Sequence, residues 1–133
     1  MSVLLDIHSI LRWVIVVLAV VLLVKFLVGW LQKSSFERVD VILGRAFSGL
    51  MDLQATIGLI FLIATGVGAN GVGFPRTRLE HAFTMILAAV AAHFIGRWKG
   101  ASGEIRFRNS FLVTLLTSVL VYVGVLTVGG WTR

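Results

Sequence analysis

From residue 13 to residue 24 the chain carries twelve consecutive apolar side chains, with no charge, glycine or proline among them. Such a run cannot lie on a water-facing surface. It sits inside a longer stretch, 8–31, that meets the ~20 mainly apolar residues needed to cross a bilayer as a helix. Three similar stretches follow at 43–66, 79–98 and 109–128, and the four together use most of the 133 residues. In hydrocarbon every backbone N–H and C=O must be satisfied within the chain, which leaves helices as the natural reading of these segments.

Composition excludes the soluble alternatives. With 58% hydrophobic and 14% charged residues, a water-soluble domain of this length could not cover its apolar surface. The net charge of +6 would suit a nucleic-acid binder if the bases were clustered with aromatics on one face. They flank the apolar stretches instead, so nucleic acid is not an expected partner. Cysteine is absent, which removes disulfides and thiolate metal sites. Asp6 and His8, with no base before Arg12, do not read as a cleavable leader.

Short loops between four helices require antiparallel neighbours. The expected fold is therefore all-α: a single transmembrane domain over 1–133, an integral membrane four-helix bundle running up-down-up-down. Its handedness in the bilayer follows from the bases, which are enriched on the cytoplasmic side. Lys25, Lys33, Arg38, Arg45, Arg97, Lys99, Arg106 and Arg108 fall on one face, and Arg12, Arg76, Arg78 and Arg133 on the other. That places loops 32–42 and 99–108 in the cytoplasm and both termini on the outer, periplasmic face of a bacterial inner membrane. Trp13 and Trp131 then mark the outer boundary, and Trp30 and Trp98 the inner one. Lys25, near the end of the first span, is read as reaching with its stem toward the headgroups. The segment holding Gly66, Gly68, Gly71 and Gly73 reads as a turn. It lacks the lysine and following hydroxyl of a phosphate loop.

Ionisable groups within apolar spans are costly, so each calls for an explanation. Near the outer face, His8 and Arg12 share one side of the first helix, while Glu80 and His81 open the third at the same depth. One reading is an Arg12–Glu80 ion pair with the histidines as hydrogen-bond partners. The other makes His8 and His81 the axial ligands of a haem b, with Arg12 beside a propionate. A stripe of Ala88, Ala92 and Gly96 suits either a porphyrin pressed on the helix or close helix packing. Deeper toward the cytoplasm, Asp52 and His93 are expected to form a buried acid–imidazole pair, which would tie two helices in register or hold a quinone carbonyl. Gln54, Thr114, Thr117, Ser118 and Tyr122 offer further hydrogen bonds between helices. No nucleophile elbow, zinc motif, carboxylate pair or dinucleotide fingerprint is present, so neither a catalytic residue nor a metal site is expected.

Three local patterns lie in order on successive helices: His8-Ser9-Ile10-Leu11-Arg12-Trp13, then Asp52-Leu53-Gln54 with Gly58-Leu59, then Glu80-His81 with Met85. Together they resemble a family of small four-helix bacterial membrane proteins that are largely uncharacterised and sometimes labelled cytochrome b-like. The resemblance covers nearly the whole chain and implies membership in the family pattern for His8, Arg12, Asp52, Gln54, Glu80, His81 and Met85. Members end in a Pro-Trp pair where this chain has Gly129-Gly130-Trp131. Two functions follow as expectations. One is an accessory subunit of a larger membrane complex, respiratory or photosynthetic, with a mainly structural role and no chemistry of its own. The other is a small haem b protein passing electrons between quinol and a partner. Either would have the lipid bilayer and other membrane subunits as partners.

Overall fold

The computed structural model describes residues 2–68 and 70–129. Within them the chain is all α: four helices and no strand, with α1 at Ser2–Leu31, α2 at Arg38–Gly66, α3 at Arg76–Ala92 and α4 at Gly103–Leu126. Three are long and apolar enough to cross a membrane, Val3–Leu31, Arg38–Gly66 and Gly103–Leu126, with mean hydropathies of 2.9, 1.7 and 1.9. Gly130, Trp131 and Arg133, used above for the outer boundary and the charge count, lie outside the described residues.

Each helix packs against its neighbours in a closed ring, α1–α2–α3–α4–α1, so α1 and α3 face each other across the diagonal. Contacts along the ring fix the directions. Phe26 near the end of α1 meets Phe107 near the start of α4, and Gly44 at the start of α2 lies against Ile95 just past α3. His8 lies against Gly58, and His81 bonds Gly124. Sequence neighbours therefore run antiparallel.

One face of α1 supplies the core with Ile15, Ala19, Leu22 and Phe26 at helical spacing. It continues to Gly29, where a β-carbon would stand 2.5 Å from the Phe107 ring. The aromatic cluster of Phe26, Phe36 and Phe107, with centroids 4.9–6.2 Å apart, is possible because Gly29 offers no side chain there. On α4 the inward face is partly polar: Ser110, Thr114 and Thr117 are fully buried. Thr114 and Thr117 donate to carbonyls one turn back, at 2.7 and 2.9 Å, and so does Ser118 at 2.7 Å. These three hydroxyls satisfy their own helix and do not link helices, contrary to the sequence expectation.

The helix bounds differ from those expected. α1 begins at Ser2, α2 at Arg38 and α4 at Gly103, so the polar links shrink and Arg106 and Arg108 are helical. α3 changes most: it stops at Ala92, well short of residue 98. His93 still has helical dihedrals, but Gly96 takes a φ of +74°, which turns the chain toward α4. The Gly96 N–H donates to Ser110 Oγ at 2.9 Å, and its carbonyl accepts from Arg106 at 3.2 Å. The stripe of Ala88, Ala92 and Gly96 is therefore not a single helical face. Ala88 and Ala92 are buried inside the bundle beside Ala89, where small side chains let the helices approach.

At the α1–α2 corner Lys25 does not reach for headgroups. It pairs with Asp40 at 2.6 Å, and that carboxylate is almost fully buried. Asp40 also accepts the Glu37 N–H at 2.9 Å, closing a capping box at the start of α2. Lys25→Met is expected to lower unfolding stability by about 2 kcal/mol, because it strands a buried carboxylate. Asp40→Asn, which keeps a capping oxygen, should cost less. Thermal unfolding of the two variants in mild detergent compares them directly.

Candidate functional site

Three histidines define two sites at opposite ends of the bundle. At the end formed by the start of α1 and the start of α3, His8 and His81 meet across the diagonal with ring centroids 6.3 Å apart and planes 73° apart. His81 Nδ1 lies 2.6 Å from the Gly124 carbonyl on α4. A carbonyl can only accept, so Nδ1 carries a proton, and in the neutral ring Nε2 keeps its lone pair. The His8 backbone carbonyl accepts from Gln54 Nε2 at 2.7 Å, an α1–α2 bond that bears out Gln54 as a link between helices. His8 Nδ1 is buried with no hydrogen-bond partner among the described residues. Glycines flank both rings: a β-carbon at Gly58 would stand 3.0 Å from His8 Cε1, and one at Gly124 would stand 2.5 Å from Met85 Cε.

The pair supplies two imidazoles that would hold a haem iron, which would there supply one-electron chemistry. His81 Nε2 and the His8 ring are the donors such an iron would use. The space a macrocycle would need beside the pair is taken up, because the backbone of α2 at Gly58 abuts His8 and Met85 lies against Gly124. Haem therefore fits the donors and, with Met85 where it is, does not fit the volume.

The expected Arg12–Glu80 ion pair does not form. Glu80 pairs with Arg76 one turn back on its own helix, at 2.6 Å on an exposed surface. An i, i+4 partner is nearer than one on the diagonal helix, so the local pair wins. Arg12 instead lies over the Trp13 ring, 5.3 Å from its centroid. Arg78, counted in the sequence only among the outer-face bases, fastens the α2–α3 turn. It donates to the Gly73 carbonyl at 3.0 Å and to Thr65 Oγ1 at 2.5 Å, and lies 5.9 Å over Phe61.

At the other end, Asp52 on α2 and His93 at the end of α3 come together as expected, with His93 Nε2 2.8 and 3.0 Å from the two carboxylate oxygens. Their burial is the reverse of what was expected. The His93 side chain is 53% exposed and that of Asp52 51%, on the outside of the bundle. They border a groove of about 330 Å³ between α2 and α3 whose remaining wall is mostly apolar, including Ala55, Leu59, Ile86 and Val90. Among the described residues no three acids or histidines gather as a metal site.

Gln54→Leu removes the α1–α2 bond while keeping side-chain volume. It is expected to lower stability by about 1 kcal/mol, read from the unfolding midpoint in detergent, with helical content unchanged. Compared with protein-family models, with curated proteins and with solved structures, the chain finds no match.

Proposed function

We propose that this chain is an integral membrane accessory subunit, an up-down-up-down bundle with both termini outside, which docks on a larger electron-transfer assembly through its α2–α3 flank. The observation that carries this reading is the Asp52–His93 pair turned outward. A half-exposed acid–imidazole pair on a helix flank is costly against lipid chains, and the cost falls when a neighbouring polar or helical surface covers it. α2 is also the least enclosed of the long helices: 11% of its apolar window is buried within the bundle, against 28% for α1 and α4. Apolar faces elsewhere suit lipid and need no partner. Bases gathered around the α1–α2 and α3–α4 links support a cytoplasmic position for that end, and the turn after Ala92 extends α3 toward the same boundary. The role assigned to the subunit is mainly structural.

Two results test this. A photo-crosslinking residue at Thr56, on the groove, should capture one defined membrane subunit from native membranes in near-stoichiometric yield. The same residue at Leu116, exposed on α4, should capture lipid alone. Replacing the pair together, Asp52→Leu with His93→Leu, should leave the bundle folded and reduce the Thr56 product at least fivefold. A chain that elutes alone from gently solubilised membranes and gives no protein product at either position would overturn the reading.

A second reading, a small haem b protein, is favoured by the 6.3 Å spacing of His8 and His81 and by the His81 Nδ1 bond to Gly124. It requires Met85 to leave its place. Purified with haem supplied during expression, such a protein would show a Soret band that shifts on reduction with dithionite and is lost in His81→Ala. A featureless spectrum leaves the two rings as packing groups.

A further inference from the structure

The cleft between α2 and the segment following α3 has a charge pattern that neither reading uses. At its mouth Arg45, Arg97 and Lys99 line a recess of about 240 Å³ that also touches Ser48 and His93. None of these three cations forms an ion pair among the described residues. Arg97 lies against the Phe94 ring at 4.7 Å, which holds its guanidinium at the rim. His93 also borders the apolar groove of about 330 Å³ described above, so the two hollows adjoin along one side of α2.

Chemistry changes along this path in a fixed order. Positive charge stands at the mouth, the His93 imidazole bonded to the Asp52 carboxylate comes next, and the far end is mainly alkyl, with Ala55, Leu59, Ile86 and Val90 beside the one hydroxyl of Thr56. Arg45 and Leu59 are fourteen residues apart on one helix, a rise of ~21 Å. Half of a bilayer, headgroup included, is also about 21 Å thick. The sequence of groups and the length match one molecule of a single leaflet.

We infer that this cleft binds an anionic phospholipid, its phosphate held by Arg45, Arg97 and Lys99 and one acyl chain lying in the groove past His93. Basic pockets between helices at the cytoplasmic boundary take such headgroups. The site adds a ligand to the flank that the proposed function uses for docking. It shares with that reading the premise of a membrane-embedded bundle and the same groove, so a lipid held there would lie between the bundle and any docked subunit.

The full-length chain in nanodiscs or mild detergent, with no partner present, is the material for the test. Native mass spectrometry should show phosphatidylglycerol retained at least tenfold more than phosphatidylcholine. Arg45→Gln, Arg97→Gln and Lys99→Gln combined should lower that retention at least tenfold, since each cation near an anionic lipid contributes about fivefold. A matched triple at the same end but outside the cleft, Lys33→Gln, Arg38→Gln and Arg108→Gln, should change it less than threefold. Equal losses in both triples would reduce the effect to general surface charge and overturn the site. Val90→Trp fills the groove from an exposed position with every charge intact, and should also weaken retention; no effect would overturn the acyl-chain assignment. Glycerol phosphate, the headgroup without chains, should fail to compete. Competition at similar concentration would make this an anion site and overturn the lipid. Circular dichroism of each variant separates loss of binding from loss of fold. Because no partner is present, lipid binding and the Thr56 crosslink can each fail while the other succeeds.

Discussion

Asp40 is a carboxylate almost wholly withdrawn from solvent at the corner where α1 gives way to α2, and the geometry of that corner rests on its partners. Lys25 supplies the countercharge from one helix, and the Glu37 N–H supplies a hydrogen bond from the start of the next. With both in place the carboxylate is tolerated. The same corner ends α1 with Lys33 at a φ of +55°, and the Ser34 N–H bonds the Gly29 carbonyl at 3.0 Å. That left-handed residue closes the helix in the manner usually left to glycine. Phe36 is thereby delivered onto Phe26 and Phe107, so the turn, the ion pair and the aromatic cluster form one connected unit.

The bundle keeps its polar groups at its ends and in two ways within its length. On α4, buried hydroxyls turn back to their own carbonyls and cost the helix little. At the corners, glycines give up side chains so that a larger neighbour can enter. Gly29 admits Phe107, Gly44 admits Ile95 and Gly58 admits His8. A helix surface built this way has few alternative packings, because each large side chain meets a backbone with no room to shift. Between α2 and α3 this closure is confined to Gly44 and Ile95, and beyond them the described residues leave an acid–imidazole pair facing outward.

Much of the architecture could be read from the apolar stretches, since their number and spacing permit little else. The meeting of Asp52 with His93 was also legible, because helical rise places them at one depth. Which way the pair faced was not, because depth says nothing about rotation around the bundle. α3 was drawn too long for a clear reason: Phe94 and Ile95 continue its apolar pattern past the true end, and Gly96 looked like one more small residue in a stripe. Lys25 and Asp40 were assigned to different environments, one to a span and the other to a link, and only the folded corner joins them. Glu80 went astray because a cross-bundle partner was weighed while Arg76, one turn away, was passed over.

α3 is seventeen residues long, a rise of ~25 Å, and its first two turns hold Arg76, Arg78, Glu80 and His81. By that length and those polar side chains α3 stands apart from the three helices that are long and apolar enough to cross a membrane. α1, with its run of twelve apolar side chains, meets both conditions by itself. α3 depends instead on α4, whose Gly124 carbonyl receives His81 and whose Ser110 hydroxyl receives the Gly96 N–H just past the end of α3, so these two helices form a single polar-matched half of the bundle.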